Sequence, residues 1–365
     1  MKQSDRISSC VRATVAATLG LAVVAISQPA EAQETIDLTF LSGYPPPATM
    51  VKAVLEGFVP AVDAALAKTG NYKINWNLAH SGQIARPRGE LEATEAGLGD
   101  ITIIQLPFHT DRLPLHELPF KTPFTSRDLR LMSDIFMEME ADIPAFKKLW
   151  DGVGQTNLYL TGTVDNYHII SSKKATRISD LKGRKVGAAG PNLPWATAIG
   201  AAGVQTNLAD AYNSLSTGIY DNMIVWAEAM GTFKLCEPAP FVLDPAFGAI
   251  LAQALTVNTD RLNDLPSEVQ AVLRNNARGW HKMNADLVEN GAEKGFASCK
   301  ANFGTEVEVL SEDERKQWAA ALPPMAKEWA TRANAQGLPG TQILKRYMDA
   351  MRANNQPLLR HWDRD

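Results

Sequence analysis

The sequence of 365 residues contains few of the side chains that bind metals, and it has no concentrated basic segment. Three cysteines and six histidines leave little material for a metal centre or a disulfide framework. Lysine and arginine number 36 against 40 aspartates and glutamates, so the formal net charge is −4. This balance argues against nucleic acid and anionic membranes as partners.

Motifs for nucleotide binding and nucleophilic catalysis are also missing. The small residues at 187–190 lack the Lys-Ser/Thr pair of a phosphate-binding loop and the G-x-G-x-x-G spacing of a dinucleotide site. Ser81 and Ser171 do not stand between the glycines of a G-x-S-x-G turn, and no pair of carboxylates stands out. The sequence therefore favours a protein that is not an enzyme and has no cofactor.

One short segment concentrates possible metal ligands. It holds His109, Asp111, His116 and Glu117, but their spacing matches no standard zinc pattern, and Pro114 interrupts any helix that would gather them. We predict a solvated loop there and no metal site.

Long apolar runs are absent except near the start of the chain. Three basic residues precede a 15-residue apolar run at 13–27, and Ala30 and Ala32 then occupy the −3 and −1 positions of a cleavage site. The run is too short for a comfortable membrane span, and no cysteine follows it for a lipid anchor. We therefore expect a signal peptide at residues 1–32 and an exported chain, residues 33–365, that is not embedded in a membrane.

Alternating strand and helix patterns organise the exported chain. Residues 35–47 read as a strand and a proline-rich turn, and residues 50–70 have helical spacing that stops at Gly70. Further alternation up to about residue 250 predicts two α/β units with mainly parallel sheets flanked by helices, and long helical periods follow. Such units bind ligands beyond the carboxyl ends of their strands, so we expect a cleft between them.

The two cysteines of the exported chain leave one question open. Cys236 and Cys299 are 63 residues apart, and an oxidising compartment would permit a disulfide between them. The spacing alone does not decide whether the bond forms.

Six segments occur in an order that is more specific than any one of them. They are SGQIARPRGELEATEAGLGDITII at 81–104, LHELPFKTPFTSRD at 115–128, ISDLKGRKVG at 178–187, YNSLSTGIYDN at 212–222, LPSEVQAVLRNNA at 265–277 and ANAQGLPGTQIL at 333–344. Together they resemble the solute-binding subunits of TRAP transporters, the DctP family.

The resemblance implies a type II-like periplasmic binding protein fold, with two α/β domains and a long helix that bridges both. Its first domain would comprise residues 33–164 and 251–290, and its second residues 165–250 and 291–365 with the C-terminal helices. The implied function is capture of one small organic molecule, usually an organic acid, by a periplasmic monomer that delivers it to TRAP membrane permease subunits. A periplasmic ligand sensor or scaffold with the same fold is the alternative, and neighbouring permease or histidine kinase genes would distinguish the two.

The family's usual ligand anchors are missing from this sequence. In that family, an arginine that ends a Lys-Ile/Val-Arg motif usually binds the ligand carboxylate, and a second arginine is often found on the preceding strand. The first position is Gly187 here, and the second corresponds to Tyr167. We expect the small residues from Gly187 onward to leave room for a bulkier ligand.

Two alternatives remain for the ligand-binding residues, because a buried carboxylate without a partner is costly. In one, the ligand is neutral or cationic and aromatic residues stack on it, unless they only pack the core. In the other, a displaced arginine binds an anion. The aromatic candidates are Tyr44, Tyr167, Trp195 and Trp226, and the arginine candidates are Arg86 and Arg88.

Overall fold

A computed structural model describes residues 33–364, and the signal peptide predicted for residues 1–32 lies outside this range. The described residues contain eleven strands that form two sheets. The strands are β1 (Glu34–Leu41), β2 (Tyr72–Ala79), β3 (Ile101–Gln105), β4 (Gln155–Val164), β5 (Tyr167–Ser171), β6 (Lys185–Ala188), β7 (Ala202–Gln205), β8 (Asn222–Trp226), β9 (Phe241–Asp244), β10 (Ile250–Asn258) and β11 (Glu306–Val309).

Fourteen α-helices surround these sheets within the described residues. Five π-helical residues (Val54–Phe58) join the first two, so the helix predicted at 50–70 is a helical run from Thr49 to Leu66. The helices are α1 (Thr49–Ala53), α2 (Val59–Leu66), α3 (Glu90–Glu95), α4 (Leu118–Lys121), α5 (Leu129–Asp142), α6 (Pro144–Asp151), α7 (Leu193–Thr197), α8 (Leu208–Ser216), α9 (Ala227–Thr232), α10 (Thr259–Asp264), α11 (Ser267–Phe303), α12 (Glu312–Ala321), α13 (Met325–Ala335) and α14 (Gly340–Ala353).

The first sheet has the order β2-β1-β3-β10-β4. Strand β1 runs parallel to β2 and β3, whereas β10 is antiparallel to β3 and β4. Every residue of β3 is buried, as expected for a strand covered on both faces. We call this sheet and its flanking helices the first lobe.

The second sheet has the order β11-β9-β5-β8-β6-β7, and with its flanking helices it forms the second lobe. Strand β5 is antiparallel to β8 and β9, and the other pairs are parallel. The α/β fold with two sheets is thus confirmed. Both sheets are mixed, and the strands that run antiparallel to their neighbours are β5 and β10, each of which follows directly on a strand of the other lobe.

Two short links carry the chain between the lobes, and they are hydrogen-bonded to each other. Residues 165–166 lead from β4 to β5, and residues 245–249 lead from β9 back to β10. The Asn166 Oδ1 accepts from the Gly248 backbone N–H at 3.1 Å, and the Asn166 Nδ2 donates to Asp244 Oδ1 at 2.9 Å. The two links therefore lie side by side.

The 37-residue helix α11 is the third connection between the lobes. Its N-terminal half buries Leu273 and Trp280 in the apolar core beneath the first sheet, and the Trp280 Nε1 donates to the Met50 carbonyl. At its other end, Cys299 forms a disulfide with Cys236, with a Cα–Cα distance of 5.5 Å, in an apolar cluster of the second lobe. The bridging helix is confirmed, and the disulfide question is answered.

Candidate functional site

A narrow cleft lies between the lobes, at the ends of strands from both sheets. Its cavity measures about 50 Å³, whereas one water needs roughly 10–15 Å³ in the same measure, so the space suits a small molecule. None of the lining side chains is charged. They are Tyr44, Gln105, Pro107, Phe108, Val164, Tyr167, Ala189, Thr206, Asn207, Leu208, Met223, Ile224, Trp226, Ala252 and Gln253.

Three of the aromatic residues predicted from the sequence line this cleft. They are Tyr44, Tyr167 and Trp226. The rings of Tyr167 and Trp226 meet edge to face at 6.0 Å, because the two residues are paired across β5 and β8. Burial raises the pKa of both tyrosine hydroxyls, so each remains protonated at neutral pH.

Trp195 lies in the apolar core and not in the cleft, which corrects its expected position. Its side chain is fully buried, and its Nε1 donates to the Phe120 carbonyl at 2.9 Å. Its ring packs 4.9 Å from that of Phe247. A ligand in the cleft would meet Tyr167, which covers Trp195 edge to face.

Gly187 does not open the cleft, contrary to the sequence-based expectation. A Cβ atom on Gly187 would stand 2.8 Å from the ring of Tyr220. That ring is buried, and its hydroxyl lies 3.1 Å from Thr206 Oγ1. The side of Gly187 is therefore filled by Tyr220, and the residue is not among those that line the cleft.

The two candidate arginines differ in position. Arg86 is exposed and does not line the cleft. Arg88 reaches from the first lobe to the second, where its Nη2 donates to the Thr206 carbonyl at 3.0 Å. Its guanidinium also lies 4.4 Å from the centre of the Phe108 ring. Arg88 has a backbone φ of 82°, which is rare for a non-glycine residue and often marks a functional segment.

Two glutamines in the cleft were missed by the sequence reasoning. Gln105 ends β3 and Gln253 lies opposite it on β10, and the Gln253 Nε2 donates to Gln105 Oε1 at 3.0 Å. The other atom of each amide, Gln105 Nε2 and Gln253 Oε1, is buried without a hydrogen-bond partner in the described chain. The available signal was a glutamine within a buried strand that is otherwise mostly apolar.

A buried carboxyl lies behind Tyr44. Glu90 is fully buried, its Oε1 accepts from the Gly43 backbone N–H at 3.1 Å, and its Oε2 has no partner among residues 33–364. Burial raises the pKa of the Glu90 carboxyl to about 7. The carboxyl group is therefore partly protonated at neutral pH. It is hydrogen-bonded to Gly43, the residue before the cleft residue Tyr44.

The raised pKa of Glu90 predicts a pH-dependent stability. The unfolded chain releases the Glu90 proton near pH 4.5 and the folded chain near pH 7, so stability falls as pH rises between these values. We expect Glu90→Gln, which cannot ionise, to raise the free energy of unfolding by roughly 1–3 kcal/mol at pH 8 and by much less at pH 4. Denaturant unfolding at both pH values measures the difference. Exposed Glu138→Gln is the control, and an equal effect of Glu90→Gln at both pH values would contradict the assignment.

Both histidines of this segment are buried whereas Asp111 is exposed, so the prediction of a solvated loop is wrong for the histidines. His116 is fully buried, its Nε2 lies 2.6 Å from Glu140 Oε1, and its ring packs against those of Phe146 and Trp150. His109 is also buried. Within residues 33–364, no three His, Cys, Asp or Glu side chains are placed to hold a metal ion.

Two lobes with a bridging helix and a cleft between them define the architecture of a solute-binding protein. The sequence matches the family of bacterial extracellular solute-binding proteins, family 7 (DctP), over residues 50–332, and the chain belongs to this family. A comparison with curated protein sequences gives no significant match. In the described part of the chain, no helix has the length and apolar character needed to cross a membrane.

Solved structures with similar folds include TRAP solute-binding proteins and an extracytoplasmic solute receptor. One, from Rhodoferax ferrireducens in complex with benzoate, has 19% identity and a TM-score of 0.76, covering 88% of this chain and 98% of its own. A marine metagenome protein in complex with 3-hydroxybenzoate has 21% identity and a TM-score of 0.76, with coverage of 88% and 99%. DctP7 of Bordetella pertussis, which binds pyroglutamic acid, has 20% identity and a TM-score of 0.71, with coverage of 87% and 99%.

Proposed function

We propose that this protein works in the periplasm as the solute-binding subunit of a TRAP transporter. It would capture one small organic molecule without changing it chemically and deliver it, as a monomer, to the membrane permease subunits. The observation that carries the proposal is the cleft itself, whose walls come from both lobes of a DctP-family chain. Tyr44, Tyr167 and Trp226 are proposed to contact the ligand, with Arg88 beside them.

The proposed mechanism is closure of the lobes around the ligand. Arg88 supports it, because its hydrogen bond to the Thr206 carbonyl joins the lobes across the cleft. A ligand that contacts both walls would favour this closed arrangement over an open one. We propose that the lobes divide at the two links, 165–166 and 245–249, close to the boundaries expected from the sequence.

Transport and recovery of the bound solute together test the proposal. The protein is incubated with a mixture of small amides, carboxylates, polyols and amines, separated from unbound solute and denatured, and the released compound is identified. We expect about one unaltered molecule per chain, and uptake of it into vesicles that contain the TRAP permease subunits of the same organism. Release of a chemical product, or uptake that does not depend on the protein, would contradict the proposal.

A further inference from the structure

The two cleft glutamines form a polar pair at the base of a cleft that has no charged lining side chain. Gln105 and Gln253 are directly opposite each other in the ladder of β3 and β10, and one hydrogen bond joins their amides. The NH2 group of Gln105 and the amide carbonyl of Gln253 therefore have no partner in the described chain. Exchanging O and N in both amides leaves the same free donor and acceptor. Buried polar groups usually have partners, and because both glutamines line the cleft, a ligand held there is placed to supply them.

The surroundings of this pair suit a flat, uncharged molecule. The aromatic residues Tyr44, Phe108, Tyr167 and Trp226 line the same cleft, and no lining side chain carries a charge. At Gly187, where the resemblance to the family predicts an arginine, the Tyr220 ring lies where a side chain would begin. An anion in contact only with the lining side chains would lose its hydration without gaining an opposite charge.

We propose that the cleft binds a neutral planar molecule that presents a carbonyl and an N–H on one edge, such as a cyclic amide or a primary carboxamide. The ligand carbonyl accepts from the free glutamine N–H, and the ligand N–H donates to the free glutamine carbonyl. The ring lies among the aromatic side chains, whose faces favour stacking. This assignment rests on the proposed function, since it names the class of solute that the cleft would capture.

Arg88 provides the main competing anchor. Its Nε is buried without a hydrogen-bond partner among residues 33–364. Its Nη2, however, already donates to the Thr206 carbonyl, and its planar group faces the Phe108 ring. Arg88 therefore joins the two walls of the cleft, and the glutamine pair provides the groups that recognise the ligand.

Matched probes with and without a carboxylate test the assignment. Benzamide is compared with benzoate, and 2-pyrrolidone with pyroglutamate, by calorimetry and by thermal unfolding of the purified full chain, because a ligand of the folded state raises the Tm. We expect each neutral amide to bind at least about tenfold more tightly than its carboxylate partner. Tighter binding of the carboxylates would overturn the assignment.

Variants of the two glutamines test whether the amide probes bind at Gln105 and Gln253. Gln105→Leu combined with Gln253→Leu removes both amides together, which preserves stability better than removing one partner. We expect this double variant to bind benzamide at least about tenfold more weakly. Gln155→Leu is the matched control, since Gln155 is also a buried glutamine with both amide atoms unpartnered, but it lies outside the cleft. Equal affinity of the double variant and the parent protein would contradict a role for the pair.

The outcomes separate the ligand class from the proposed function. If benzoate or pyroglutamate binds and Arg88→Gln abolishes that binding, the amide assignment is wrong, while solute capture stands. If none of the four probes binds, the amide assignment is likewise wrong, and the released-solute and transport experiments decide the function independently. The probe affinities of the parent protein decide the ligand class even if a variant fails to fold.

Discussion

Gly187→Arg, which would restore the family's usual arginine, is expected to destabilise the protein by about 3–5 kcal/mol and to confer no carboxylate binding. The Cβ atom alone would meet the Tyr220 ring at 2.8 Å, and that ring is held by its contact with Thr206. The guanidinium would then have to be buried, or force the second sheet to shift. Denaturant unfolding and calorimetry with benzoate measure the two effects.

A compensating change tests whether Tyr220 is the obstacle. Tyr220→Ala removes the ring, so Gly187→Arg combined with Tyr220→Ala is expected to be more stable than the sum of the two single effects predicts. Lys185→Arg, on the same strand but exposed, is the control and should change stability by less than about 0.5 kcal/mol. A Gly187→Arg variant as stable as the parent protein would show that the ring moves freely.

Removing the disulfide is expected to lower the free energy of unfolding by about 4 kcal/mol. The bond between Cys236 and Cys299 closes a chain segment with a sequence separation of 63, which restricts the unfolded state. We choose Cys236→Ala with Cys299→Ala, because both side chains are buried among apolar residues and serine would bury an unpaired hydroxyl. Chemical denaturation at neutral pH measures the loss.

A reductant provides the control for the disulfide prediction. Reducing the bond should lower the Tm of the parent protein towards that of the double-alanine variant, while the variant should not respond. If the parent and the variant unfold at the same denaturant concentration without reductant, the cross-link does not stabilise the folded chain.

The fold was accessible from sequence because it depends on patterns that many residues repeat. The alternation of strand and helix periods predicted the two lobes. The order of six segments indicated the family, and the resemblance to that family implied the bridging helix. The strand directions were harder to predict. Strands β5 and β10 follow on from strands of the opposite lobe, and nothing in their apolar composition records which sheet a strand enters or in which direction.

The site was only partly accessible, because its properties depend on contacts between distant residues. Tyr44, Tyr167 and Trp226 were expected at the cleft, Tyr167 because the resemblance matched it to an arginine position of the family. Nothing local to Gly187 shows that Tyr220 fills its vacant side, and the burial of Trp195 depends on Phe120 and Phe247, which are distant in sequence. Gln105 and Gln253 are 148 residues apart, so their pairing becomes visible only when β3 and β10 meet.

The adjacent links at residues 165–166 and 245–249 limit how the protein can move. A fully extended link from Val164 to Tyr167 spans at most roughly 10 Å, so the lobes cannot separate by translation. With the links tied together through Asn166, and α11 anchored at both ends, we expect the proposed closure to be a rotation about an axis that passes near the links. The mouth of the cleft, opposite this axis, therefore travels furthest, and the glutamine pair at its base travels least. Recognition groups that hardly move can select a solute before the lobes have finished closing.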